Sequence, residues 1–236
     1  TDADGKNWEI VATGLRNPYG IDCNPDGEVF TYDADNESDI GLPFYRPTRV
    51  NHLVSGVDYG WRQGGKSWPV YAPDSLPTNV DIGHGSPTAV KFGTRSHFPQ
   101  RYRNALFILD WAYGRIIAVD TIPQGASYAC RAHTFLRGRP LNVTDLGFGP
   151  DGAMYFVTGG RKTRSALYRV RYTGPTGQPV AQTKQEKARA DYSTKARERR
   201  KSIERHHQAG AFPEAEEEVW ESLNDPDPWI RQAARI

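Results

Sequence analysis

Arg16-Asn17-Pro18-Tyr19-Gly20 is a turn-like string with a planar cation and an amide at its head. A guanidinium can grip a carboxylate through two parallel hydrogen bonds, and the Asn amide adds a donor and an acceptor. A little further on, Asp33-Ala34-Asp35-Asn36-Glu37-Ser38-Asp39 forms a D-x-D-x-x-x-D loop just after an apolar run. Hard cations such as Ca2+ collect several oxygen ligands from one flexible loop. The loop lacks the Gly and the terminal Glu of an EF-hand. Arg16 and Asn17 would face an anionic ligand, and Asp33, Asp35 and Asp39 a hard metal ion. The plainer reading is also open: a loop-stabilising Arg, an Asn-Pro turn and a solvated acidic turn.

Other candidates are scattered. His84, in Gly83-His84-Gly85-Ser86-Pro87-Thr88, has glycine on both sides, which lets the backbone approach a ligand. It is a weak candidate for a general base and equally a plain loop histidine. Asp110-Trp111-Ala112-Tyr113-Gly114-Arg115 offers rings that could wall a flat ligand or pack a rim. Gly159-Gly160-Arg161-Lys162 places a cationic pair after another apolar run, where Arg161 could meet the same anion. Asp2 and Asp4 read as a hairpin tip, and His206 and His207 as surface residues of a charged helix. The chain has no G-x-S-x-G, no C-x-x-C, no Walker loop and no Rossmann fingerprint.

These residues need a scaffold, and the composition points to strands. Only 37% of the 236 residues are apolar, while Gly 23 and Pro 17 suit many short strands joined by turns. Two units repeat a strand, a Pro-Asp-Gly turn and a second strand: Gly20 to Tyr32 and Leu146 to Val157. Proline presets φ in such a turn and glycine relieves it where the chain re-enters the ladder. A looser copy runs from Pro87-Phe92 to Ala105-Asp110. A further strand pair follows each unit: Arg49 to Val54, Arg115 to Val119 and Ala166 to Tyr172. Strand groups recurring at blade length predict a β-propeller over an immunoglobulin-like sandwich. Three blades do not close a ring that takes about four to eight, so the remaining blades are expected upstream of Thr1.

Composition shifts near Thr173, where Gly174-Pro175-Thr176-Gly177-Gln178-Pro179 reads as a linker. Lys184 to His207 reads as a solvated, charged helix with a thin apolar stripe. Its Arg197, Arg199, Arg200 and Lys201 suggest a nucleic-acid arm, but interleaved Glu residues and a net charge of only +2 argue against one. A helix near Pro213 to Leu223, an Asp-Pro break and a second helix from Trp229 resemble the opening of a HEAT repeat. The division is therefore 1–172 for the partial propeller, 173–210 for a charged helical linker and 211–236 for the start of a HEAT-like repeat. The fold class is mainly β. Cys23 and Cys130 read as two buried thiols, with a disulfide between neighbouring strands as the alternative. No apolar run is long enough to span a membrane.

The matching strings place the first region. Arg16 to Gly20, Asp58-Tyr59-Gly60-Trp61, Asp145 through Tyr155 and Leu167-Tyr168-Arg169 resemble the glucose/sorbosone dehydrogenase family. Phe30 to Asp35, Tyr45 to His52 and Gly85 to Thr88 resemble its planctomycete-type membrane-bound dehydrogenases. The resemblance implies a six-bladed propeller, of which about three blades lie here, that binds pyrroloquinoline quinone (PQQ) and Ca2+. It implies oxidation of a sugar or related alcohol, HEAT-like repeats after the propeller, and electron transfer to a haem-containing, cytochrome-type domain outside these residues. It implies a periplasmic, secreted or cell-envelope setting, although the chain starts internally and shows no signal. Arg16 and Asn17 match the family's cofactor-contacting pair, and Asp39 an acidic position of its calcium segment. The family's catalytic histidine belongs to an earlier blade. Tyr19 stands where the family often has Gln, and Ala34-Asp35 where it has Gly-Pro. A reading from another class is a non-catalytic propeller that binds glycan or protein, with the repeats as scaffold.

Overall fold

The computed structural model describes residues 1–43, 45–64, 67–69, 72, 75–175, 181–207 and 216–236. The chain is mainly β, with its strands in successive antiparallel sheets. The first sheet follows a short strand, β1 (Ala12–Thr13), and runs β2 (Ile21–Cys23), β3 (Val29–Asp33) and β4 (Thr48–Leu53). Strand β5 (Val57–Asp58) leaves it to pair in parallel with β1, and β6 (Val80–Gly83) then rejoins beside β4. The second sheet is β7 (Pro87–Phe92), β8 (Leu106–Asp110), β9 (Arg115–Gln124) and β10 (Ser127–Arg137), in that order. A one-turn helix, α1 (Gln100–Arg103), lies in its first connection. The third sheet is β11 (Val143–Phe148), β12 (Met154–Thr158) and β13 (Ala166–Val170).

Each Pro-Asp-Gly turn forms as its sequence requires. Gly27 and Gly152 take φ of 74° and 67°, which disfavours any side chain. A Cβ on Gly152 would also sit 2.1 Å from the His97 ring. Asn24 Oδ1 accepts from the N–H groups of Asp26 and Glu28, and Asp151 Oδ1 from that of Ala153.

Strand β8 explains how the sheets stack. It is buried along its whole length, and its side chains alternate between two cores. Leu106 and Ile108 pack with Phe30, Tyr32 and Val50 of the first sheet. Phe107 and Leu109 pack with Val143, Met154 and Phe156 of the third. A strand covered on both faces reads as a continuous apolar run, and Ala105-Leu106-Phe107-Ile108-Leu109 is one. The leading strands lie side by side. Asp22 Oδ2 on β2 accepts from Phe92 N at 2.7 Å, and Thr88 Oγ1 on β7 donates to Val143 O at 2.8 Å. Sheets stacked face to face around adjacent leading strands make the arrangement propeller-like.

The charged helix is largely solvated and buries Ala196 and Ile203 of its expected apolar stripe, but Tyr192 stays exposed and two of its arginines are buried. Helix α2 (Lys184–Glu204) starts at a reciprocal cap between Thr183 and Glu186. It docks on the first and second sheets through buried arginines. Arg200 Nη2 donates to Glu28 Oε1 and Oε2 at 2.9 and 2.7 Å, and Nη1 to Ala126 O at 2.8 Å. Arg197 reaches Asp26 at 3.2 Å and Lys201 reaches Glu28 at 3.1 Å. Arg199 pairs with Asp225 at 2.9 Å. The cations that suggested a nucleic-acid arm therefore face acidic side chains of their own chain. Helices α3 (Glu216–Ser222) and α4 (Pro228–Ala233) follow. Trp229, Ile230, Ala233 and Ala234 join Ala196 and Ile203 against Val54, Val57 and Tyr59. His207 is not a free surface residue: it bonds both Ser55 Oγ and Ala233 O at 2.8 Å. Linker residues 176–179 and the expected helix start at Pro213 lie outside the described residues. Both cysteines are free thiols. Cys23 is exposed, because β2 is the edge strand of its sheet, and burial pushes Cys130 up to about 12.

Glu28 is the centre of this docking. Its Oε2 meets His52 Nε2 at 2.8 Å, and His52 Nδ1 meets Ser127 Oγ at 2.9 Å. Burial alone would raise the Glu28 carboxyl, but the His52 bond and the Arg200 charge bring it down to about 2. Burial lowers His52 to about 4 and raises Glu204, beside Arg200, to about 7. Below pH 6.5 an unfolded His52 takes a proton that the folded site refuses until about pH 4. Unfolded Glu28 likewise protonates near pH 4.5, while the folded carboxyl stays charged to about pH 2. Both groups make acid favour unfolding. Glu204 acts in the opposite sense, because its folded carboxyl keeps its proton to about pH 7 and its unfolded one loses it near 4.5. The His52 and Glu204 effects oppose each other between pH 7 and about 4.5, so melting temperature should change little there and fall as the pH drops from about 4.5 toward 2, where Glu28 is protonated. Glu204→Gln should raise it above pH 7, and an unchanged profile there removes Glu204 from the cluster. Arg200→Ala should cost about 3–5 kcal/mol in urea unfolding, because it removes the two bonds to the buried Glu28 carboxylate and the bond to Ala126 O.

Candidate functional site

Strand polarity brings the singled-out loops to one end of the molecule. Asp33 pairs with Arg49, Pro87 with Asp110 and Val143 with Thr158, so these six residues mark the same end of the three sheets. The loops at that end carry Arg16 and Asn17, the acidic segment, His84, Asp110 to Arg115 and Gly159 to Lys162.

Asp33 has a different task from the one its spacing suggested. It is fully buried. Its Oδ1 accepts from Asn17 N at 2.8 Å, Ala34 N at 3.0 Å and Arg16 N at 3.1 Å. Its Oδ2 accepts from Arg16 N and Arg49 Nη2, both at 3.1 Å. A carboxylate has about four lone-pair sites, and these bonds occupy them. Asp33 is thus the anchor of the Arg16-Asn17 turn and not a metal ligand. The Arg16 guanidinium is left half-buried at the face, 3.5 Å from Glu37 Oε2. The Asn17 side chain is exposed.

Asp35 differs in kind. It is 3% exposed, and Oδ2 accepts from the Tyr45 hydroxyl at 2.8 Å. Its Oδ1 is buried with no hydrogen-bond partner among the described residues. A buried, unpaired carboxylate oxygen is costly, and a hard cation is one way to satisfy it. Asp39 sits half-buried on the short 3-10 turn Glu37–Asp39. Among the described residues no three His, Cys, Asp or Glu side chains converge on one metal position. The acidic loop is therefore not a three-carboxylate cage.

A polar chain crosses from the first sheet to the second. The exposed His84 ring stands edge-on to Tyr45, with centroids 5.3 Å apart. Burial, then the bond to Asp35, raises the Tyr45 hydroxyl above its ordinary value. Arg115 Nη2 donates to His84 O at 3.2 Å, and its Nε to the fully buried Asp110 at 2.9 Å. Asp110 Oδ1 also accepts from Ser86 N at 2.9 Å. Tyr45 and the Asp110–Arg115 pair escaped the sequence reading as partners. Their signal was weak, because Tyr45 lies ten residues from Asp35 and no periodicity joins them.

Where the second and third sheets meet, a loop of each builds an aromatic shelf. Trp111 Nε1 donates to Gly159 O at 2.7 Å, and the Arg161 guanidinium lies 5.4 Å from the Trp111 ring centre. Arg161 and Lys162 take φ of 45° and 66°, a left-handed turn held by non-glycine residues. A cleft of about 300 Å3 opens beside this shelf, walled by Tyr113, Arg139 and Asn142. Arg16 and Arg161 share the face from different sheets, and no contact joins them among the described residues. A larger cleft, about 540 Å3, lies at the other end of the strands.

No family model and no curated relative matches the sequence. Solved structures do. An oxidoreductase (glucose dehydrogenase) of Thermus thermophilus is 21% identical with a TM-score of 0.55, over 69% of this chain and 47% of that one. Two other glucose dehydrogenase structures are 22% and 20% identical, with TM-scores of 0.54 and 0.56. Each covers 73% of this chain, and 49% and 48% of its own. The chain has the fold of the glucose dehydrogenases. It spans about half the length of these structures. Asp33→Asn should destabilise this half by about 3–5 kcal/mol in urea unfolding, since it leaves Arg49 buried without a counter-charge. A loss below about 1 kcal/mol would mean that Asp33 does not anchor the turn.

Proposed function

We propose that this chain is part of a PQQ-dependent dehydrogenase that oxidises a sugar or a related alcohol. The observation that carries the reading is the Arg16-Asn17 turn, pinned by Asp33 at the loop face of a glucose-dehydrogenase fold. The turn matches the cofactor-contacting pair of the family that the sequence resembles. On this reading the exposed Ile21 and Leu167 at the outer sheets are covered by further blades of a six-bladed ring. The helices after Thr183 open a HEAT-like array, electrons pass to a haem domain, and the protein works in the periplasm or at the cell envelope.

PQQ, when bound, supplies the hydride-accepting quinone carbonyl, and Ca2+ the Lewis acid that polarises it. The residues here bind and orient. Arg16 keeps its main chain fixed by Asp33 while its guanidinium can exchange Glu37 for a ligand carboxylate. Asp35 offers Oδ1 to the cation, and Tyr45 holds its other oxygen. The Trp111 ring and the Arg161 charge wall the face against an anionic, flat ligand. His84 is the histidine at this face. The base that takes the substrate hydroxyl proton is assigned to an earlier blade.

Adding PQQ and Ca2+ to the full chain should shift the quinone absorption and give dye reduction with an aldose. Silence across a broad sugar panel would overturn the enzyme reading. Arg16→Ala should weaken PQQ binding about tenfold or more without unfolding, because Asp33 grips its N–H and not its side chain. Unchanged affinity would remove Arg16 from the site. Ca2+ should raise the melting temperature of the protein, and Asp35→Asn should abolish that rise. A rise that survives the substitution places the ion elsewhere.

A further inference from the structure

The 540 Å3 cleft lies where the β9–β10 hairpin meets the helical tail, at the end of the strands away from the charged loop face. Its size is that of a small-molecule site, and junctions between structural units are common places for one. Three rings, Tyr128, Tyr192 and Trp229, stand in its walls among small and polar residues. Trp229 and Tyr128 are nearly buried, but Tyr192 on α2 stands 63% exposed at the cleft. Its ring therefore has a face free to stack on a ligand that enters the cleft.

The charge pattern narrows that partner. Among the described residues no Lys or Arg lines the cleft. The carboxylate on its wall, Asp227, is occupied: Oδ1 accepts from Trp229 N at 2.9 Å and Oδ2 from Ala126 N at 2.7 Å. These walls therefore offer neither a cation to draw an anion nor a free carboxylate to draw a cation. The remaining polar groups are amides and hydroxyls. Asn79 is locked by bonds to Ser127 Oγ and Tyr128 O at 3.2 and 2.8 Å. Gln124 is exposed at the cleft and can meet hydroxyl groups, while the Thr78 hydroxyl donates to Asp81 Oδ1 at 3.2 Å and keeps only its lone pairs for a ligand. Ring faces with neutral hydrogen-bonding groups and no free charge match the chemistry of an uncharged sugar: apolar C–H faces edged by hydroxyls.

We propose that this cleft binds a neutral saccharide, stacked on Tyr192 and separate from any sugar oxidised at the loop face. The cleft exists because α2 and α4 are clamped to the sheets, so the helical tail builds its wall. Ser127 at its floor is held by His52 and serves as structure.

The test uses borohydride-reduced cello-, xylo- and mannohexaose, which have no anomeric hydroxyl to oxidise. Binding to the full chain is followed by tryptophan fluorescence and calorimetry without PQQ. At least one neutral hexasaccharide should bind, and Tyr192→Ala should weaken it about fivefold or more. Tyr192→Phe should retain most of the affinity. Tyr192 is exposed, so its replacement leaves the core intact. Absence of binding at millimolar sugar, affinity unchanged by Tyr192→Ala, or preference for an oligogalacturonate over the neutral sugars would each overturn the proposal. Because no turnover is read, failure here leaves the dehydrogenase reading standing, and failure of PQQ binding leaves this one standing.

Discussion

Asp33 is a charge taken fully out of water, and the loop face is organised by what offsets that cost. A buried carboxylate must be bonded on every side or it destabilises the fold. Three backbone N–H groups and one arginine meet it. Two of those N–H groups belong to Arg16 and Asn17, so the same bonds that stabilise the charge fix the turn. The arrangement separates two roles within one residue. The Arg16 main chain is structural, while its guanidinium stays at the face with only a long contact to Glu37. A rigid backbone with a loosely engaged cation is what recognition of an anionic ligand needs.

The second sheet carries the rest of that geometry. With β8 covered by both neighbours, the sheets cannot slide without moving Leu106 and Ile108 out of one core or Phe107 and Leu109 out of the other. Loops at the strand ends therefore inherit fixed relative positions. Asp110 and Arg115, at the end of β8 and the start of β9, tie the His84 carbonyl and the Ser86 N–H to this stack. The functional groups thus sit on loops whose ends are held by the most buried strand.

Much of the scaffold was legible because its signals are local. The Pro-Asp-Gly turns and the continuous run before Asp110 are each written within a dozen residues. The Arg-Asn-Pro turn was legible as a motif, but its partner was not. Asp33 looked like a metal ligand because D-x-D spacing carries no record of which N–H groups will fold onto a carboxylate. Helix α2 misled for a related reason. Arginines at 197 and 200 look solvated until Asp26 and Glu28, more than 170 residues earlier, are placed beneath them. Long-range charge pairing leaves no periodicity to read. Cys23 was expected inside because it lies in a strand, yet edge strands do not bury both faces.

The two ends of the molecule differ in how their charges are treated. At the loop face Arg16, Arg161 and the Asp35 oxygen are only partly engaged, so the face retains a field that a charged ligand can use. At the hairpin end Asp26, Glu28 and Asp227 are each paired with helix side chains or backbone donors. That neutralisation lets α2 and α4 lie against the sheets, and it leaves a cleft whose walls present rings and amides. The helix clamp and the neutral cleft are then consequences of one electrostatic arrangement. Arg200 on Glu28 is one of several clamps on the wall that bears Tyr192, with Arg197 on Asp26 and Lys201 on Glu28 beside it.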